Sequence, residues 1–235
     1  MTKLTLTNLL NSHSEITNKC LPSLSNLTHI IIINSRLIGS LLSAVSSIEF
    51  IRSIEIRRCI LQIYSFWLNL KGTSATTLTL SSCDIPVAFK MQSFVLLQTS
   101  HNIDLCNTEI MEEGIIYLTE LPNLRGLFLS RTDITAKSLK YFCMMSNLQN
   151  LDISYCNITH ALSLLAPLNR LTHLTISSDQ EDGRGKLCPL SLQQLKIISV
   201  DDTCDVKNIC EMFGMISRSS GFIPYYYTDI LIRNY

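Results

Sequence analysis

Apolar and polar residues alternate in short runs along this chain, and the runs recur with an almost constant period. The pattern is Leu-x-x-Leu-x-x-Leu-x-Leu-x-x-(Cys/Thr/Ser)-x-Ile, and it is clearest over residues 121–134 and 145–158. Successive copies lie 23 to 25 residues apart. One of its positions can be followed through Ile30, Ile54, Leu78, Ile103, Leu127, Leu151, Leu174 and Ile198. A fixed period in this range indicates a solenoid of stacked repeats.

Each copy contains one predicted strand and one connecting segment. The x-Leu-x-Leu-x core predicts a short strand with one buried face, because successive side chains of a strand point to opposite sides. Stacked strands of this kind form a parallel sheet, which needs a crossover of a dozen or so residues between strands. Residues 135–143 predict a helical crossover that begins at Thr135 and buries Leu139, Phe142 and Cys143. Residues 159–165 repeat this arrangement.

A small polar residue or cysteine follows each strand, where the chain turns away from the sheet. We call this position the turn slot; its occupants are Ser35, Cys59, Cys83, Thr108, Thr132, Cys156 and Thr203. Their hydroxyl or thiol groups can make the weak hydrogen bonds that a turn needs.

With this slot, the pattern resembles leucine-rich repeat proteins of the ribonuclease-inhibitor-like kind, in which asparagine usually fills the position. It is most similar to the cysteine and threonine variants of F-box substrate receptors and of protist and bacterial repeat arrays. The resemblance covers residues 24–203. It implies an α/β leucine-rich repeat solenoid of about eight repeats of about 24 residues, with a curved parallel sheet on the concave side and mostly helical convex segments.

The two ends of the chain depart from the repeat. We expect residues 1–23 to form an N-terminal cap or degenerate repeat around Leu4 and Leu6, because a solenoid end exposes its core. Residues 24–203 hold the leucine-rich repeats. Residues 204–235 are expected to form a C-terminal helix, predicted over 204–217, followed by a cap or tail.

The amino-acid composition limits the kinds of binding partner and the cellular compartment that we expect for this protein. A formal net charge of zero argues against nucleic acid or an anionic membrane as a partner. No secretory signal is visible in residues 1–20, and no run of about 20 apolar residues predicts a membrane span. The nine cysteines include no Cys-x-x-Cys, and three of them share the turn slot. They are therefore interpreted as reduced structural thiols of an intracellular, cytoplasmic protein rather than a metal site.

The side chains expected on the concave face carry no recognisable catalytic arrangement. His101 beside Asp104, with Arg125 and Arg131 one repeat on, is the best acid–base group, but a polar binding surface is the favoured interpretation. There is no glycine-rich phosphate loop, nucleophile elbow or zinc-protease motif. We therefore expect no enzyme, no metal ligands and no cofactor.

A central patch combines two aromatic residues with two arginines, residue types that dominate binding hot spots. The predicted protein-binding patch is Asp104, Asn107, Arg125, Phe128, Arg131, Asp152 and Tyr155. The competing interpretation is that Phe128 and Tyr155 only cover sheet surface. The leading functional prediction is a non-catalytic protein-binding scaffold or adaptor. The alternative is a substrate-recognition subunit of a ubiquitin ligase, although residues 1–23 are too short for an F-box.

Overall fold

The chain divides into two compact units, Met1–Leu124 and Arg125–Tyr235. In this computed structural model the described residues are 1–9, 20–37, 39–61, 73–85, 97–110, 112–158, 162–177, 197–200, 216–219 and 229–232. Each unit has its own run of repeats, and each repeat contributes one strand to a sheet.

The first unit has a sheet of five strands, joined side by side in parallel. In sheet order they are β1 (Lys3–Thr7), β2 (His29–Ile33), β4 (Ser53–Arg57), β6 (Thr77–Thr79) and β7 (Asn102–Asp104). Two shorter strands, β3 (Arg36–Leu37) and β5 (Ile60–Leu61), pair in a separate two-stranded sheet. Equivalent repeat positions face each other, as Ile30 does Ile54. The predicted strand register is confirmed in this unit.

The second unit continues the repeat and then changes direction. Its strands are β8 (Gly126–Phe128), β9 (Asn150–Asp152), β10 (His173–Thr175), β11 (Ile197–Val200), β12 (Ile216–Ser219) and β13 (Asp229–Ile232). The first four are parallel, with Leu127, Leu151, Leu174 and Ile198 in register. Strand β13 then pairs antiparallel with both β11 and β12.

The C-terminal strands correct one expectation from the sequence. A helix was predicted over residues 204–217, but Ile216 and Ser217 belong to β12 and face Ile232 and Leu231 of β13. Residues 204–215 lie outside the described residues. The spacing of apolar residues around Ile216 favours a helix, but this segment pairs instead with a strand more than ten residues downstream. Strand formation depends on such tertiary context more than on local preference. The predicted domain boundaries themselves stay a prediction.

Short helical segments connect several of the strands. The α-helices are α1 (Gly39–Ser46), α2 (Glu112–Leu118) and α3 (Leu139–Phe142), and the 3-10 segments are Leu21–Ser23, Ala136–Ser138 and Leu162–Leu165. Thr135 caps the connection between β8 and β9, because its side chain accepts a hydrogen bond from the Lys137 N–H. Leu139 and Phe142 are fully buried, whereas Cys143 is only half-buried. The predicted crossover exists, as one 3-10 turn followed by one α-helical turn.

The cysteines of the turn slot join their repeats to the preceding ones, whereas the Thr108 and Thr132 hydroxyls donate to carbonyl groups of their own repeats, and Thr203 lies outside the described residues. Cys59, Cys83 and Cys156 are buried. The Cys156 thiol donates to the carbonyl oxygen of Leu129 at 3.0 Å, and Cys83 donates in the same way to Ile56 at 3.3 Å. Both bonds reach a buried apolar residue of the previous repeat, Ile56 within β4 and Leu129 immediately after β8. The slot is therefore a column of buried bonds that satisfies carbonyl groups where the strands end.

Seven described residues, one for each strand end from β1 to β9 apart from β3 and β5, have a left-handed backbone with φ between 51° and 58°, and all but Asn8 stand immediately before the turn slot. We call this set the left-handed row: Asn8, Asn34, Arg58, Ser82 and Asn107 in the first unit, and Arg131 and Tyr155 in the second. Non-glycine residues adopt this conformation at a cost of about 1–2 kcal/mol, and asparagine tolerates it best. Each of these seven positions therefore carries a strained turn at the end of its strand.

Candidate protein-binding face

The open face, meaning the side of each sheet away from the buried leucines and isoleucines, carries the predicted patch. Asp104 and Asn107 belong to the first unit, and Arg125, Phe128, Arg131, Asp152 and Tyr155 to the second. The inward neighbours of these residues, such as Leu127 and Leu151, are at most 2% exposed. The sequence-based division of inward and outward positions is therefore confirmed at these strands.

In the second unit, Phe128 and Asp152 are direct register partners across β8 and β9. Both side chains are half-buried rather than fully exposed. In-register side chains of neighbouring strands lie about 5 Å apart on the same face. An aromatic ring and a carboxylate therefore stand side by side at the end of these strands.

Arg131 and Tyr155 form a second pair, beyond the strand ends. The guanidinium carbon of Arg131 lies 4.7 Å from the centre of the Tyr155 ring, within the range of a cation–π contact. Both residues belong to the left-handed row, so their equivalent backbone conformations direct the two side chains to the same side. Arg125, by contrast, precedes β8 and lies at its opposite end. The structure therefore divides the five residues into two pairs and one separate arginine.

The carboxylate of Asp152 also supports the turn that carries Tyr155. Its Oδ1 accepts the backbone N–H of Ser154 at 3.0 Å and lies 2.7 Å from Ser154 Oγ. Ser154 is fully buried. In addition, the Tyr155 N–H donates to Ser177 Oγ at 2.6 Å. Asp152, which the sequence predicted as part of the protein-binding patch, thus also fixes the local backbone.

The first-unit members of the patch follow the same design. Asp104 Oδ1 accepts the N–H of Cys106 at 2.9 Å, and Asn107 donates through Nδ2 to Ser82 Oγ at 3.1 Å. The His101 ring places Nδ1 2.9 Å from the Thr99 carbonyl oxygen. The acid–base group considered from the sequence requires the His101 ring to contact Asp104. The ring nitrogen instead contacts Thr99, which lies at the other end of β7.

The sequence reasoning missed the left-handed row as a structural set. It predicted Asn107, Arg131 and Tyr155 only as members of the protein-binding patch. Asparagine occupies three of the seven row positions, and this was the one signal in the sequence for positive φ. Tyrosine and arginine give no such signal.

Within the described residues, no three His, Cys, Asp or Glu side chains come close enough together to hold a metal ion. None of the helices in the described part of the chain has the length and apolar character needed to cross a membrane.

Comparison with solved structures identifies the architecture. An internalin, InlF, from Listeria monocytogenes superimposes with a TM-score of 0.61 at 14% identity, over 96% of this chain and 62% of that chain. Internalin C2 from the same organism gives 0.57 at 20% identity, over 83% and 80%. A leucine-rich repeat protein from Leptospira interrogans gives 0.53 at 15% identity, over 81% and 45%. The fold is a leucine-rich repeat solenoid.

This likeness concerns the leucine-rich repeat fold alone, because identity stays at or below 20% in these three structures. The chain spans about three-fifths of the internalin InlF chain and less than half of the Leptospira chain. No protein-family model matches the sequence, and no curated protein matches it either.

Proposed function

We propose that this chain is a non-catalytic protein-binding scaffold or adaptor, and that its partner binds the open face of the sheet. The observation that carries this proposal is the pairing of Phe128 with Asp152 and of Arg131 with Tyr155 in the second unit. Aromatic and arginine side chains dominate the energetics of protein interfaces. Stacking on Tyr155 restricts the Arg131 side chain in advance, which lowers the entropy lost on binding.

The proposal of a non-catalytic role rests on how the polar residues of this face are used. Asp104 and Asp152 each accept a backbone N–H two residues further along the chain, as in turns built by aspartate. His101 contacts a backbone carbonyl. These side chains support turns, so their polar atoms serve to hold the backbone.

The patch predicted from the sequence also includes Asp104, Asn107 and Arg125. Their contribution to binding stays a prediction. Asn107 is exposed and its amide bonds to Ser82, so an Asn107→Gly variant, which removes the amide and accommodates the positive φ, tests the first unit.

We further propose the ribonuclease-inhibitor-like subtype and an intracellular, cytoplasmic location. Both rest on the turn slot, where Cys59, Cys83 and Cys156 act as buried hydrogen-bond donors. A thiol that serves as a donor must stay reduced, and cytosolic conditions keep it so. Mass spectrometry of the non-reduced protein should find these three thiols free, and a disulfide at any of them contradicts the assignment.

The alternative, a substrate-recognition subunit of a ubiquitin ligase, has no structural observation in its favour. Lys3–Thr7 is a strand of the sheet rather than part of a helical F-box bundle. Specific co-purification of a cullin-adaptor subunit with the chain would support this alternative over a general scaffold.

A site-specific photo-cross-linker tests the proposed face. A benzophenone amino acid at position 128 should capture the partner, which mass spectrometry then identifies. The same group at position 137, an exposed lysine on the connecting segment, is the matched control. Capture at 137 with none at 128 would move the site to the other side of the repeat.

Alanine variants then measure the energetics with the partner so identified. Tyr155→Ala or Phe128→Ala should weaken binding about thirtyfold, which corresponds to a hot-spot loss of about 2 kcal/mol. Lys137→Ala and Lys140→Ala should change the dissociation constant less than about threefold. Equal small losses at all four positions would mean that the patch is not a hot spot.

A further inference from the structure

Strand β1 is the edge of the first unit's sheet. It pairs in parallel with β2, Leu4 opposite Ile30 and Leu6 opposite Ile32. Among the residues that the structure describes, no strand pairs with its other side. An unpaired edge is a template for another strand, and proteins usually protect it by short length, charge, proline or a bulge. Lys3–Thr7 is five residues long, has a single charge and contains no proline.

The hydrogen bonds to β2 show which backbone groups point outward. The Thr2 carbonyl accepts the His29 N–H at 3.0 Å, and the Asn8 N–H donates to the Ile33 carbonyl at 3.1 Å. Because backbone direction alternates along a strand, even-numbered residues face β2 and odd-numbered residues face away. Lys3, Thr5 and Thr7 therefore direct three N–H and three C=O groups to the free edge.

The apolar side chains of β1 are also incompletely covered. Leu4 and Leu6 are half-buried, whereas Ile30 and Ile32, which occupy the same repeat positions one strand further in, are fully buried. No described strand lies on the outer side of β1 to cover these two side chains. A segment that binds this edge should therefore supply backbone hydrogen bonds to β1 and apolar side chains at alternate positions.

The sequence of β1 meets these requirements for pairing with itself. In an antiparallel pair centred on Thr5, the odd residues of the two strands form hydrogen-bonded pairs: Thr5 with Thr5, and Lys3 with Thr7. All six outward N–H groups of the two strands are then bonded. Leu4 comes opposite Leu6 of the second copy on the core side. Lys3 faces threonine, so no like charges are opposed.

We propose that two copies of this chain associate through β1, antiparallel and two-fold symmetric about Thr5. A two-fold axis makes the contact close on itself, so the assembly stops at a dimer. The strand contact alone is smaller than the roughly 1,200 Å² of a stable complex. The dimer is therefore reversible and dissociates on dilution. This inference is independent of the proposed binding function, since it uses no residue of the patch.

Proline at position 5 tests the hydrogen-bonded edge. Thr5→Pro removes the outward N–H at the symmetry axis but none of the bonds to β2, and edge strands tolerate proline at such positions. Thr5→Val, which keeps the N–H, is the matched control. Light scattering over a concentration series should give twice the mass of one chain at high concentration for the native protein and for Thr5→Val. Thr5→Pro should stay at the mass of one chain.

A cysteine pair tests the register and remains informative if Thr5→Pro fails to fold. In a Cys20→Ser background, Thr5→Cys should form an intermolecular disulfide in glutathione disulfide, which accepts the electrons and leaves as two glutathione thiols. Thr7→Cys should not, because position 7 faces Lys3 of the second copy. A single-chain mass at every concentration overturns the proposal. So does a dimer that persists in Thr5→Pro, or equal cross-linking at positions 5 and 7.

Discussion

Individual polar side chains on the open face hold the backbone in addition to facing solvent. Asp152 shows this most clearly, since its Oδ1 receives both the N–H and the hydroxyl of Ser154. Surface position alone would suggest that replacing Asp152 changes stability by less than about 0.5 kcal/mol. The structure revises this expectation.

Asp152→Ala should lower the free energy of unfolding by about 1–2 kcal/mol, because it leaves the fully buried Ser154 with fewer partners. Urea denaturation followed by circular dichroism measures the loss. Asp133→Ala, at an exposed position after the turn slot, is the control and should stay within about 0.5 kcal/mol. Equal effects would show that the carboxylate does not support the turn.

The turn-slot thiols make stability depend on pH. Burial raises the pKa of the Cys156 thiol above the 9.0 of a free thiol, and the hydrogen bond with Cys59, together with burial, raises the pKa of Cys83. A raised folded-state pKa means that the unfolded chain loses the proton first. The contribution of Cys83 and of Cys156 is therefore complete below the pKa of an unfolded thiol and declines as pH rises further, whereas the hydrogen bond with Cys83 lowers the pKa of Cys59.

Cys156→Thr should flatten this decline, because threonine fills the same slot at position 132 and does not titrate. Between pH 9 and 10.5, the native protein should lose up to about 1.4 kcal/mol more per pH unit than the variant. Unfolding free energies across this range measure the difference. Parallel curves for the two proteins would mean that Cys156 titrates alike in the folded and unfolded chain.

At the scale of elements, the connection between β8 and β9 contains one side chain that stabilises the fold and one buried hydroxyl that destabilises it. Thr135 caps the 3-10 segment through its bond with Lys137. Three residues later, Ser138 Oγ is fully buried and has no hydrogen-bond partner among the described residues. Losing a cap is destabilising, whereas removing a buried hydroxyl without a partner is neutral or stabilising.

Thr135→Ala should therefore lower stability by about 0.5–1 kcal/mol, and Ser138→Ala should raise it by up to about 1 kcal/mol. Thermal unfolding of the two variants side by side gives the sign of each effect. A loss at Ser138→Ala would reveal a partner for its hydroxyl in the folded protein.

The elements also show where sequence reasoning succeeds and where it stops. The period predicted β2, β4 and each strand from β6 to β11, because each inward leucine or isoleucine is needed to fill the core between neighbouring repeats, but it did not predict the short strands β3 and β5. It could not separate Arg125 from the Arg131–Tyr155 pair, since both lie outward and only the turn decides their direction. It also gave β12 a helical assignment at its start, because pairing with β13 depends on distant residues.

For the molecule as a whole, stability should be local, because each repeat of a solenoid contacts only its neighbours. Ile153 is fully buried next to β9 in the second unit. Ile153→Asp buries an unpaired charge and should cost about 4 kcal/mol. Hydrogen exchange should then accelerate most in β8, β9 and β10. Uniform acceleration throughout that unit would mean that its repeats unfold together rather than locally.

The left-handed row has a consequence for how such a protein can change length. The backbone N–H of a row residue donates to the residue that precedes the next row residue, as Asn34 does to Arg57 and Arg131 to Ser154. Residues 131–154 therefore form one repeat cassette, which begins at a row residue and ends immediately before the next row residue. A tandem duplication of this cassette would reproduce the same junction and add one strand, about 4.8 Å of sheet. Changes in length that add or remove a strand should therefore come in whole repeats of 23 to 25 residues, the range that this chain already contains.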